Sequence, residues 1–182
     1  MGQVGEMAIE IALDHPETDK MTMAVGKLIV NFGYIEYETY LWLACLKDSL
    51  DGLEDAGLFS ARAKRVLSDL SPITHTLRDQ AVDRWNKALD IAKFRNRIAH
   101  NAIMFGWSGS DQVGAPDFLA VMDIKTGLSA KGNDPRVTLQ EINDFVNQAA
   151  VLGQELRDLR SRIWRVSPRN TMTDRSIRCL VR

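Results

Sequence analysis

The sequence predicts a mainly helical protein, a bundle of four or five helices with a small β-hairpin inserted before the last long helix. Apolar residues recur at helical spacing over residues 21–47, 77–102 and 138–164. Between the second and third of these segments, two short apolar runs are separated by turn-forming residues, a pattern typical of paired strands. The chain has 182 residues, which suits one compact domain.

The first long helix is predicted over residues 21–47, with Thr18 or Asp19 as its cap. A short helix over residues 7–13 is expected to stop at His15-Pro16, because the residue before a proline disfavours helical backbone. The predicted stripe on the long helix sets one carboxylate among apolar and neutral residues: Val25, Ile29, Phe32, Glu36, Thr39 and Leu43.

A shorter helix is predicted over residues 60–70, ending at Ser71-Pro72, and a second long helix over residues 77–102. The second long helix is so broadly apolar that we expect it at the centre of the bundle. Its predicted apolar arc comprises Trp85, Ala88, Leu89, Ile91, Ala92, Phe94, Ile98, Ala99 and Ala102.

The hairpin is predicted at about residues 103–124, and residues 127–135 are predicted to be loop. Thr138 and Glu141 have the spacing of a capping box, which opens a last helix to about Trp164. The buried stripe predicted for that helix is Ile142, Val146, Ala149, Leu152, Leu156 and Leu159.

The domain organisation is predicted to be an N-terminal arm (residues 1–19), a helical domain (20–165) and an Arg-rich tail (166–182). Residues 1–60 hold eleven acidic against three basic residues, whereas residues 157–182 hold eight arginines against two acids. Such an Arg-rich end can meet phosphate, an acidic partner surface, or the acidic first helix of its own chain.

The sequence also indicates a compartment. Cys45 and Cys179 lie far apart and share no metal-ligand spacing with the three histidines. No apolar run approaches the roughly 18 residues of a membrane span, and residues 1–17 lack the basic start of a signal peptide. We therefore expect a soluble, cytoplasmic protein that needs no metal or other cofactor.

The segment Arg95-Asn96-Arg97-Ile98-Ala99-His100 stands out near the end of the central helix. Arg95 falls in the middle of the apolar arc, where an unpaired charge is costly. Asn96 and His100 are four residues apart and lie on neighbouring turns at the edge of that arc. Lys93 and Arg97 make this end of the helix locally positive.

The string Arg95-Asn96, three residues and then His100 resembles the HEPN superfamily, whose signature is an arginine, often followed by asparagine, and a histidine after four to six residues. Residues 31–36, in a long amphipathic helix, are similar to the first long helix of many bacterial HEPN proteins. The resemblance covers about residues 20–165 and implies an HEPN-like bundle.

The resemblance further implies a homodimer in which two copies of the motif form one composite site. Many members are metal-independent endoribonucleases found as toxins, in phage defence or in RNA processing, and some toxins have an antitoxin partner such as a nucleotidyltransferase. Other members are non-catalytic modules that bind RNA or protein. Both functions are therefore expected alternatives, together with a plain dimerisation domain.

The motif residues suit RNA cleavage by attack of a 2′-hydroxyl. Histidine gives or takes a proton near neutral pH, so His100 is the predicted proton-transfer residue. Arg95 can fork onto phosphate oxygens, and Asn96 can orient the imidazole or hold a phosphate or sugar oxygen. Substrate contacts are expected from Lys93, Arg97, Asn101 and Trp107.

Each motif residue also has a structural explanation. Arg95 can pair with Glu36, the carboxylate in the predicted stripe of the first long helix. His100 can serve as a C-terminal helix cap, a position that the helix dipole favours for histidine. Pairing with Glu36 is compatible with either function, so Glu36 is expected beside the site in a supporting role.

Overall fold

The fold is a mainly helical bundle with a small antiparallel sheet before the last helix, as predicted. The computed structural model describes residues 15–47, 57–74, 76–100, 102–106, 116, 118–122 and 136–166. In chain order their elements are α1 (Pro16–Lys47), α2 (Phe59–Leu70), α3 (Arg78–Ala99), β1 (Ala102–Gly106), β2 (Phe118–Met122), β3 (Arg136–Thr138) and α4 (Leu139–Val166).

Helix α1 begins at Pro16, five residues before the predicted start. Proline suits the first helical position because its missing N–H has no intrahelical partner there. The preceding residue, His15, accepts hydrogen bonds from Glu17 N at its Nδ1 (3.1 Å) and from Thr18 N at its carbonyl (2.9 Å). The prediction of Thr18 or Asp19 as the cap is therefore wrong. The helix predicted over residues 7–13 lies outside the described residues.

The buried face of α1 is rotated from the predicted stripe. Phe32, Thr39 and Leu43 are buried as expected, but Val25, Ile29 and Glu36 are only half-buried. The centre of the face lies instead on Leu28, Ile35 and Trp42, which are fully buried.

This rotation is explained by α4, which packs along α1. The indole Nε1 of Trp42 donates to the Leu156 carbonyl (3.2 Å), and Asn31 Nδ2 donates to the Val146 carbonyl (3.1 Å). Two side chains of α1 thus satisfy backbone carbonyls of α4, which fixes the relative position of the two helices.

Helix α3 ends at Ala99, three residues earlier than predicted, and Ala102 already belongs to β1. Most of the predicted arc is buried, but Leu89 is half-buried and Ala99 is exposed. The prediction of a buried Ala99 is wrong because the helix ends there. In the core, the ring of Trp85 meets that of Trp42 edge to face, with centroids 5.9 Å apart.

The predicted hairpin is confirmed: β1 and β2 pair antiparallel, with Ala102 opposite Met122 and Gly106 opposite Phe118. A third strand, Arg136–Thr138, extends the sheet in the order β1-β2-β3. The sequence prediction missed this strand because three residues, of which the outer two are exposed, carry no readable alternation.

The last strand leads directly into the last helix. Thr138 Oγ1 accepts a hydrogen bond from Glu141 N (3.1 Å), so Thr138 caps α4 as the capping-box spacing predicted. All six residues of the predicted stripe on α4 are buried. The helix continues to Val166, two residues beyond the predicted end.

Two buried polar clusters were not predicted. Glu38, with 2% of its side chain exposed, accepts a fork from Arg160 of α4: Nε to Oε2 at 2.9 Å and Nη2 to Oε1 at 3.3 Å. Arg62 of α2 is buried, donates from Nε to Thr39 Oγ1 (2.9 Å), and lies over the Tyr40 ring. Both clusters attach a neighbouring helix to α1.

Candidate functional site

The candidate site lies at the C-terminal end of α3 and is divided between two sides of that helix. Arg95 and His100 are five residues apart, which on a helix separates them by about 140° around the axis and about 7.5 Å along it. Arg95 is half-buried and directed at α1, whereas His100 is exposed. The predicted positions, Arg95 within the apolar arc and His100 at its edge, agree with this arrangement.

Arg95 is held by contacts on both helices. Its Nη2 lies 3.6 Å from Glu36 Oε2, and its Nη1 donates to Asn96 Oδ1 at 2.8 Å. The guanidinium also lies over the Phe32 ring, 5.2 Å from its centroid. The expected pairing with Glu36 is therefore present, as a long ion pair rather than a short hydrogen bond.

One buried donor atom of Arg95 is unsatisfied. Among the residues that the structure describes, its Nε is buried and has no hydrogen-bond partner. A buried guanidinium donor without a partner is unfavourable, so a small shift of this side chain toward an oxygen ligand would recover a bond. The side chain is 19% exposed, which leaves it within reach of such a ligand from the solvent side.

Asn96 and His100 are both exposed and lie one turn apart. The Asn96 side-chain oxygen binds Arg95, and the Asn96 carbonyl accepts a hydrogen bond from the backbone N of His100 (3.1 Å). His100 occupies the C-cap position of α3, with φ −114° and ψ 3°. Its position as a helix cap is thus confirmed, and its imidazole faces solvent.

The predicted substrate contacts are only partly described. Lys93 is 78% exposed and pairs with Asp90 one turn back, Nζ to Oδ1 at 2.8 Å. Arg97 is half-buried on the same side of α3. Asn101 and Trp107 lie outside the described residues, so their placement beside the site stays a prediction.

Ala99 is exposed next to the motif. It lies four residues after Arg95, on the same side of α3, and its exposure shows that solvent reaches the end of the helix there. Arg95, Asn96 and His100 thus all lie in the last turn and a half of α3, with Asn96 and His100 exposed and Arg95 half-buried.

The buried clusters at Glu38 and Arg62 act in the scaffold around this site. Burial alone lowers the pKa of the Arg160 guanidinium, but the hydrogen bond and charge of Glu38 raise that pKa overall, so the guanidinium stays charged. The charge distribution left the acidic first helix as one of three possible partners of the Arg-rich end and named no residue pair, so the contact of Arg160 with Glu38 was not predicted. The pattern gave no means of choosing Glu38 over Glu36.

The described residues contain neither a cluster of metal ligands nor a membrane-spanning helix. In the part of the chain that the structure describes, no three His, Cys, Asp or Glu side chains converge as metal ligands would. None of the described helices is both long and apolar enough to cross a membrane.

The chain was compared with protein-family models, curated proteins and solved structures, and none of them matches it. The resemblance to HEPN proteins therefore rests on the Arg95-to-His100 motif and on the order of the helices around it. The fold and the site define a helical bundle with an Arg, an Asn and a His at the exposed end of a central helix.

Proposed function

We propose that this protein is an HEPN-type, metal-independent endoribonuclease. The observation that carries the proposal is the exposure of His100 close to the motif arginine: His100 faces solvent, and Arg95, half-buried one turn and a half below it, is bonded to Asn96. A histidine sealed in the core could not transfer protons to a bound nucleic acid. The exposed imidazole meets that requirement.

In the proposed reaction, the RNA 2′-oxygen attacks the adjacent phosphorus, and the bond from phosphorus to the 5′-oxygen breaks. One group removes the proton of the 2′-hydroxyl, and another protonates the leaving 5′-oxygen. His100 supplies one of these groups. Arg95 binds the non-bridging phosphate oxygens, which gain negative charge in the transition state, and Asn96 positions the guanidinium. The products are a 2′,3′-cyclic phosphate and a 5′-hydroxyl.

One subunit contributes a single His100, whereas the reaction needs both a base and an acid. A second copy of the motif across a twofold axis would supply the other imidazole and a second guanidinium. The proposal therefore includes a homodimer, and it leaves room for an antitoxin that covers the site.

The test is to incubate purified full-length protein with RNA in excess EDTA beside His100→Ala. We expect cutting by the wild type and a loss of about 100-fold or more in the variant, the usual contribution of a general acid or base. The new ends should carry 2′,3′-cyclic phosphate. Because His100 is exposed, the variant should fold, which circular dichroism verifies.

Lys87→Ala is the matched control, since Lys87 is exposed on the same helix but lies more than three turns before His100. It should cut RNA like the wild type. Equal cutting by wild type and His100→Ala would reject the proposal, because the activity would then come from another site or a contaminant.

A second candidate function is a non-catalytic RNA- or protein-binding module. The observation that favours it is that Glu36 and Asn96 already engage the Arg95 guanidinium, as they would in a purely structural cluster. Protein that binds RNA tightly but leaves it intact, for both wild type and His100→Ala, would favour this function over the nuclease.

A further inference from the structure

Helix α1 has a second apolar face on the side opposite the core. Between Met21 and Leu46 of this fully described helix, Lys27 is the one charged residue among the exposed positions. The exposed positions are Thr22, Met23, Gly26, Lys27, Val30, Gly33, Tyr34 and Tyr37. A solvated helix face normally carries many charges, so this face is unusual.

The other long helices provide the comparison. The exposed side of α3 includes five charged residues, and that of α4 is mainly Gln, Asn, Asp and Arg. On α1, in contrast, Met23 is 60%, Val30 72%, Tyr34 50% and Tyr37 48% exposed. These four residues follow one line along the helix at spacings of seven, four and three, which we call the outer stripe.

We infer that the outer stripe of α1 is the surface on which a second copy of this chain docks. Met23 and Tyr37 are exposed on the stripe, and Tyr34 lies beside Gly153 of α4. Gly26 and Gly33 flank the stripe as gaps, since a Cβ placed on either would meet nothing within 4 Å. Large residues of one copy can therefore enter the glycine gaps of the other, as a twofold, isologous interface requires.

Charge argues against the chain's own C-terminal end as the occupant. Residues 167–182 contain four arginines and one acid, and the one charge beside the stripe is Lys27. Residues 1–14 carry three acids among apolar residues and are the rival occupant. A second copy is preferred because it brings a matching uncharged stripe, whereas residues 1–14 would bring three carboxylates to this apolar face.

The required area points the interface toward the motif. The outer stripe spans 15 residues, about 21 Å in length. A single helix of this length buries less than the about 800 Å² per partner of a stable complex. The interface must therefore continue onto a neighbouring surface. Tyr37 directly follows Glu36, the partner of Arg95, so the stripe ends on the turn of α1 that holds the motif arginine.

This inference deepens the proposed function and rests on it for its last step, the meeting of two motif copies. The docking face itself depends only on the outer stripe. The docking face and the proposed nuclease function can therefore be tested separately, provided that the oligomeric state is measured without RNA.

The test is the mass of full-length protein by sedimentation, for the wild type, Val30→Glu and Val151→Glu. Val151 is the matched control, an exposed valine (59%) on α4 away from the stripe. We expect the wild type and Val151→Glu to be dimers and Val30→Glu to be a folded monomer. A monomeric wild type, or a dimeric Val30→Glu, would overturn the inference.

Hydroxyl-radical labelling of Met23, Tyr34 and Tyr37 identifies the occupant. Protection that grows with protein concentration supports a second copy. Protection that is independent of concentration and vanishes when residues 1–14 are deleted would assign the stripe to that segment and overturn the inference. If Val30→Glu is monomeric yet still cuts RNA, the docking face stands and the composite site fails.

Discussion

Arg95 Nη2 and Glu36 Oε2 are 3.6 Å apart, with 19% and 30% of the respective side chains exposed. At this distance and exposure, the carboxylate attracts the guanidinium without forming a short hydrogen bond. In the proposed enzyme, Glu36 therefore competes with RNA phosphate for Arg95.

Neutralising Glu36 should strengthen RNA binding. Glu36→Gln removes an attraction of up to about 1 kcal/mol, so we expect RNA to bind up to about fivefold more tightly at low salt. Binding by His100→Ala, with and without Glu36→Gln, measures this without cleavage. Glu36→Asp, which keeps the charge, is the control. Weaker binding by the Gln variant would instead make Glu36 a residue that positions Arg95 for phosphate.

The buried pair Glu38–Arg160 should be strongly coupled. Arg160→Met leaves the Glu38 carboxylate buried and unpaired, so we expect a loss of about 3 kcal/mol in the free energy of unfolding. Glu38→Gln together with Arg160→Met should cost less than the sum of the single changes. Urea denaturation of all three variants gives the coupling energy.

The partly exposed ion pair between Arg84 and Glu155 is the control for that cycle. Arg84 Nε lies 2.6 Å from Glu155 Oε2, but the two side chains are 27% and 40% exposed. Breaking it should cost about 1 kcal/mol or less. Similar losses at both pairs would show that burial adds nothing to the Glu38–Arg160 contact.

Arg62 should matter more for stability than its neighbour Arg65. Arg62 donates to Thr39 Oγ1 and to the Gly57 carbonyl, and it lies 4.3 Å from the centroid of Tyr40. Arg62→Ala leaves these two acceptors without their donor, so we expect the free energy of unfolding to fall by about 2 kcal/mol. Arg65 is exposed on the same helix, and Arg65→Ala should stay within about 0.5 kcal/mol of the wild type. Thermal unfolding of both variants measures this difference in stability.

The cap at the start of α4 should contribute a measurable share of stability. Thr138→Ala removes the acceptor for Glu141 N, which costs about 1 kcal/mol at a typical N-cap. Thr138→Ser keeps a hydroxyl at that position and should restore most of the loss. Equal stability of the Ala and Ser variants would mean that water replaces the cap.

Helical periodicity predicted the elements well where one face is apolar and the other is charged. The stripe of α4 was predicted residue by residue because charged and polar side chains separate its members. Helix α1 was predicted at the wrong rotation because both of its faces are apolar. The apolar residues then do not point to one side of the helix, and the packing of α4 determines which face is buried.

The ends of elements were predicted less well, for local reasons. His15 caps α1 through its ring nitrogen and its carbonyl, whereas Ser, Thr, Asp and Asn are the usual caps. Helix α3 stops at Ala99 although alanine favours helix. Strand β3 is too short for a pattern to reveal.

The candidate site was predicted from residue types that do not suit a helix in a core. Arg95 drew attention because a charge in an apolar arc needs a partner, and Glu36 is that partner. The link from Arg95 to Asn96 was not predicted, because side chains of adjacent residues usually diverge on a helix. The pairing of Glu38 with Arg160 depends on helix rotation, which the sequence alone does not give.

The crossing of Trp42 and Trp85 has a spectroscopic consequence. The two indole rings are perpendicular, 5.9 Å apart and sealed from water, and they belong to α1 and α3. Such a pair should produce a strong near-ultraviolet dichroic signal and a blue-shifted emission that both vanish when those helices separate. The near-ultraviolet circular dichroism and the fluorescence of this tryptophan pair therefore report native packing without an added label.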